Sequence, residues 1–117
     1  MSAIVVVTTV GTQDQANLIA EELVEHRLAS SVNIIPIQRS VYRWKGKMCD
    51  DSEYLLVVKS MAHRYQEIES TIGDLHSYEL PEILAFNVSR GEQRFLEWIT
   101  SCTDAAPVSS DSEDADL

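Results

Sequence analysis

From Ala3 to Ile99 the hydrophobic pattern runs strand, helix, strand, strand, helix, strand, and then one more helix. "AIVVVTTV" (Ala3–Val10) is a β-branched run of the kind that forms a buried strand. Thr12 and Gln15 have the spacing of a capping box, which opens a helix. Ala16, Ile19, Ala20, Leu23 and Val24 then make an apolar stripe suited to a sheet, while Glu21, Glu22 and Glu25 stay in water. From Ser31 to Lys45 the pattern is extended, and Pro36 predicts a bulge or an edge position. "WKGKMCDDSE" reads as a hairpin loop, and Glu53–Ser60 as the returning strand. A second helix is expected from about Met61, with Met61, Tyr65, Ile68, Ile72 and Leu75 on one face. Glu82–Ser89 is the fourth strand. Ser89 and Glu92 have capping-box spacing before a last helix lined by Phe95, Leu96 and Ile99. This order predicts an α+β fold: ferredoxin-like βαββαβ with a long central hairpin and an extra C-terminal helix.

That hairpin sets a packing problem. Its first arm would be roughly 14 residues long, against ~5–6 for an ordinary strand. It would overhang a two-helix layer, leaving open edges and aromatic residues such as Tyr42 and Trp44. A partner subunit is the expected cover.

Charge and length narrow the function. The 117-residue chain suits one domain and carries a net charge of −10 from 19 acidic and 9 basic residues. Five of the acids lie in "TDAAPVSSDSEDADL" (103–117), which has no Lys or Arg. The remaining 14 acids and 9 bases leave −5 on residues 1–102. Residues 1–102 are therefore read as the folded domain and 103–117 as an acidic, disordered tail. An acidic body argues against nucleic-acid binding. Apolar runs of about five residues are too short to span a bilayer. The N-terminus lacks the basic region of a signal peptide, so a cytoplasmic location is expected. Cys49 and Cys102 are too few and too irregular for a disulfide framework.

Four segments then act together. "NIIP" (Asn33–Pro36), "SVYRWKGK" (Ser40–Lys47), "YELPEIL" (Tyr78–Leu84) and "FLEWI" (Phe95–Ile99) resemble the divalent-cation tolerance family, CutA. The likeness runs in order over about residues 3–101. The resemblance implies a homotrimer in which the long hairpins pair between subunits. It implies a part in tolerance of divalent metals, copper especially, and no catalytic reaction. The trimer would look like that of nitrogen-signalling proteins, which hold small ligands in intersubunit clefts. A structural or anchoring role is the remaining alternative.

Candidate site residues fall into two groups. His76 is the candidate metal ligand, for Cu(II) or another divalent metal, because imidazole suits such ions. It also reads, as the plainer alternative, as a helix-end histidine, favourable at the C-terminal dipole. Some family members have a Cys near the end of the first strand, a second His and a further Cys; Thr8, Leu75 and Ser31 hold those positions here. The resemblance also gathers Trp44, Glu53, Lys59, Tyr78 and Glu82 near a subunit cleft. By residue type these would make a pocket for a small polar or anionic ligand, with Lys59 as cation and Tyr78 as hydroxyl donor. An interface ion pair with aromatic packing uses the same residues. Cys49, in a predicted loop beside Asp50 and Asp51, and Cys102 are read as incidental. His26 and His63 are read as solvent-facing. No Gly-x-Gly-x-x-Gly, Walker A or Ser–His–Asp set is found, and no organic cofactor is implied.

Overall fold

The computed structural model describes residues 2–104. The elements are β1 (Ala3–Val10), α1 (Gln13–Glu25), β2 (Ser31–Trp44), β3 (Lys47–Met61), α2 (Tyr65–Leu75), β4 (Ile83–Asn87) and α3 (Gln93–Thr103). A single 3-10 turn, Ala62–Arg64, leads into α2. The four strands form one antiparallel sheet in the order β2-β3-β1-β4. This is the ferredoxin-like α+β arrangement that the periodicities predict.

The sheet has two different faces. Side chains alternate along a strand, so Ile4, Val6, Thr8 and Val10 of β1 share a face with Leu56 and Val58 of β3. The helices α1 and α2 cover that face through Ile19, Leu23, Ile68 and Ile72, all fully buried. Each such side chain contributes about 1.5–3 kcal/mol. The opposite face carries Val5, Val7, Leu55, Val57, Leu84 and Phe86. Only its Ala3–Met61 end is covered, by α3 through Ile99. Leu84 and Phe86 remain more than half exposed, at 53% and 55%.

Several local expectations change on the structure. Thr12 caps α1, accepting from the Gln15 amide at 3.1 Å, but the Gln15 side chain does not return to Thr12. The cap of α3 is Glu92, not Ser89; its carboxylate accepts from the Phe95 amide at 2.9 Å. Val24 and Phe95 stand outside their stripes, 43% and 46% exposed. Met61 ends β3 and packs under α3 rather than with α2. The α1 helix ends in a Schellman motif built on Arg27, at φ 59°, where glycine is usual.

The hairpin is longer and tighter than expected. Its turn is Lys45–Gly46 alone, both at positive φ (52° and 81°), as a type I′ turn demands. The segment read as a loop therefore belongs mostly to β3, and Cys49 sits on that strand, half-buried. The α3 helix passes the expected boundary by one residue. Thr103 is fully buried, and its carbonyl accepts from Arg64 Nε at 2.8 Å. The rest of the predicted acidic tail lies outside the described residues.

Candidate functional site

Pro36 predicted a bulge or an edge, and β2 has both: it is an edge strand, and its register slips between Ile37 and Ser40. Ile37 pairs with Glu53 and Ser40 with Asp51, so three steps on β2 match two on β3. One extra residue inverts the alternation beyond it. Ser40, Tyr42 and Trp44 therefore join Glu53 on the sheet face that α1 and α2 leave open.

Around them lies a cavity of about 750 Å³, lined in part by Thr9, Tyr42, Trp44, Glu53, Tyr78, Glu79 and Glu82. Four of the five expected cleft residues thus come together: Trp44, Glu53, Tyr78 and Glu82. The fifth does not line this cavity. Lys59 shares the open face with Glu53, but six residues of strand put it ~20 Å along β3. Its ammonium donates to Asn33 Oδ1, and burial lowers its pKa from the usual lysine value.

Glu53 is the floor of the cavity. It is 7% exposed, and Tyr78 Oη donates to its Oε2 at 2.6 Å. Burial, and then this carboxylate, raise the Tyr78 phenol above its ordinary pKa. A second phenol–carboxylate pair stands beside it on the hairpin: Tyr42 donates to Asp51, which pushes the Tyr42 phenol up to about 12. At the rim, Lys45 Nζ pairs with Glu79 at 3.8 Å and sits 5.6 Å from the centre of the Trp44 ring.

The connection from α2 to β4 aims Tyr78. Gln15 holds it from α1: Nε2 donates to the Leu75 carbonyl at 2.9 Å, and Oε1 accepts from the Ser77 amide at 2.8 Å. His76 holds it from within. Nδ1 accepts from the Tyr78 amide at 3.1 Å, so Nε2 is the nitrogen that donates to the Thr9 carbonyl, at 2.8 Å. The imidazole also lies 4.8 Å from the Tyr78 ring. Gly11 leaves room for the phenol, since a Cβ there would stand 3.1 Å from Tyr78 Oη.

His76, the expected metal ligand, thus has both nitrogens engaged. The positions that carry thiols or imidazole in some family members hold neither here. Thr8 points under the helices, and its hydroxyl has no hydrogen-bond partner among the described residues. Leu75 packs against the helix-side core, and Ser31 pairs across from Lys59 on β3. Among the described residues no three His, Cys, Asp or Glu side chains are placed to hold a metal ion. His26 ends α1 and contacts Glu22 at 3.1 Å, while His63 is exposed in the 3-10 turn. Gln15, Gly11 and Asp51 escaped the sequence reading. Gln15 was read only as part of its own helix cap, and the partner of Asp51 follows from the bulge.

A four-stranded antiparallel sheet in the order β2-β3-β1-β4, with two helices on one face, places the chain in the ferredoxin-like α+β class. Its family is more specific. The family model for CutA1 divalent ion tolerance proteins matches residues 4–102, and the chain belongs to that family. It is 40% identical over 99 residues to the divalent-cation tolerance protein CutA of Thermus thermophilus, covering 85% of this chain and 96% of that one. It is 35% identical over 101 residues to the chloroplastic CutA of Arabidopsis thaliana, covering 86% of this chain. The chain spans 56% of that plant protein and 50% of the human one. Among solved structures, CutA from Xylella fastidiosa superposes with a TM-score of 0.86 at 33% identity, covering 89% of this chain and all of that one. The Archaeoglobus fulgidus protein, named a periplasmic divalent cation tolerance protein, gives 0.85 at 32% identity, covering 87% of this chain and 99% of that one. Among the described residues no helix is long and apolar enough to cross a membrane.

Proposed function

We propose that this chain acts in divalent-cation tolerance as a non-catalytic homotrimer, with the Glu53–Tyr78 cavity as its small-ligand cleft. The observation that carries this reading is the open sheet face. Leu84, Phe86 and Ile35 are exposed there beside Val5, Val7 and Val57. A contiguous apolar face of this kind marks an interaction surface, and copies of the same chain cover it on this reading. The number three follows the family resemblance. The cavity lies at the end of that face, so a neighbouring subunit would form its outer wall. Direct capture of Cu(II) at His76 has less support, because the lone pair on Nδ1 and the proton on Nε2 are both in use. Relatives named periplasmic and chloroplastic both occur, so the family sets no single compartment.

Sedimentation equilibrium tests the assembly. The wild type should give three times the 13.1 kDa chain mass. Phe86→Glu, which puts a charge on the most exposed part of that face, should shift it to monomer. A monomeric wild type at tens of micromolar would overturn the reading.

A further inference from the structure

Glu53 is 7% exposed, and its carboxylate accepts a hydrogen bond from a neutral phenol. Among the described residues no Lys, Arg or His forms an ion pair with it. The one basic residue in the lining, Arg43, alternates with Tyr42 and Trp44 along β2 and so projects from the other side of the hairpin. The lining adds Glu79 and Glu82, so the cavity is net negative. A buried carboxylate in such a place is normally matched by a positive charge.

The walls say which kind of cation fits. A divalent metal needs several oxygen, nitrogen or sulfur ligands around one point, and no such group is placed to hold one among the described residues. Aromatic rings are what the site offers instead. Trp44, Tyr42 and Tyr78 face the same space as Glu53, and ring faces attract ammonium and guanidinium groups. The chain carries its own example at the rim, where the Lys45 ammonium lies over the Trp44 ring and pairs with Glu79. Lys45 and Glu79 are exposed, so this lysine can yield its place.

We propose that the cavity is a receptor for an organic ammonium or guanidinium cation, seated on Glu53 and walled by Tyr42 and Trp44. The proposal rests on reading this cavity as the ligand cleft. Tyr78 is a positioning residue here: its hydroxyl fixes one carboxylate oxygen and turns the other toward the cavity.

Calorimetry on the full chain with n-butylammonium and n-butylguanidinium tests it, with butyrate and butanol as anionic and neutral controls of similar shape. At least one cation should bind, and neither control should. Glu53→Gln should weaken that binding roughly tenfold or more, as expected for loss of a charge-assisted hydrogen bond. Tyr42→Phe, which keeps the ring, should retain it. Three results would overturn the proposal: no cation binds the wild type, butyrate binds as well, or Glu53→Gln binds unchanged. Lys59→Gln separates a free ligand from a neighbour's lysine. If butylammonium binds only after that change, the partner's ammonium fills the site and the proposal fails. Zn(II) binding that needs Glu53, without binding of either organic cation, would equally refute it. Sedimentation of the same samples keeps the readings apart. A trimer that binds no cation fails this proposal alone, and a monomer that binds one through Glu53 fails only the trimer.

Discussion

Replacing His76 by alanine separates a structural role from a metal-ligand role. The ring makes two hydrogen bonds in a partly buried corner, to the Tyr78 amide and the Thr9 carbonyl. Each is worth about 1 kcal/mol net. Its contact with the Tyr78 ring, 4.8 Å between centroids, adds about 0.5–1 kcal/mol. His76→Ala should therefore cost about 2–3 kcal/mol. The bond from the Tyr78 amide to Nδ1 spans two residues, the geometry of an Asx turn, so an asparagine can replace that half. His76→Asn should recover about 1 kcal/mol. Urea unfolding at one fixed protein concentration measures both, so that subunit association does not enter the comparison. Cu(II) titrations of the same proteins should show weak binding that changes little in either variant. His76→Ala within 0.5 kcal/mol of wild type would refute the positioning role, by the usual scatter of neutral surface changes of about that size. A tight copper site lost in both variants would refute the reading that the imidazole is already committed.

Further outcomes follow from the same geometry. Gly11→Ala should push the Tyr78 phenol off Glu53, since the new Cβ would meet Oη at 3.1 Å; the check is a loss of cation affinity with the fold retained by circular dichroism. Phenolate absorbance should show Tyr42 and Tyr78 ionising well above the ordinary 10.0. For a raised phenol the stabilisation is complete below pH 10 and is lost as pH climbs through the folded value, so unfolding free energy should fall in strong alkali. Glu53→Gln should bring Tyr78 down only part of the way, because burial is the larger cause and remains. A chain ending at Cys102 should be less stable than one ending at Asp104 by about 1–2 kcal/mol, the value of the Arg64–Thr103 bond and the buried Thr103 side chain; urea midpoints compare the two.

Much of the fold could be read from the sequence, because it depends on period. Ile19 and Leu23, and Ile68 and Ile72, are spaced for one helix face, and that face is buried. The errors came where one residue breaks a period. The segment from Trp44 to Glu53 is polar, and looks like a loop until the Lys45–Gly46 turn is seen to close the hairpin in two residues. The bulge after Ile37 is the larger case. Pro36 announced an irregularity, but not that it would rotate Tyr42 and Trp44 onto the face of Glu53. Trp44, Glu53, Tyr78 and Glu82 were found through family resemblance, and the structure brings them together. Lys59 shares their face but not their cavity, since a shared face says nothing about distance along a strand. His76 is a candidate ligand by its imidazole alone; its hydrogen-bond partners, the backbone of Thr9 and Tyr78, are invisible to any reading of side-chain types.

In the proposed function the cavity at Glu53, rather than the imidazole of His76, does the work. Growth under excess divalent cation tests it most directly, in a bacterial strain made cation-sensitive by deletion of its own family member. The strain would express the wild type, Glu53→Gln or His76→Asn at matched protein levels. The prediction is that the wild type and His76→Asn restore growth and that Glu53→Gln does not. Restored growth with Glu53→Gln, together with failure of a folded, trimeric His76→Asn, would contradict it.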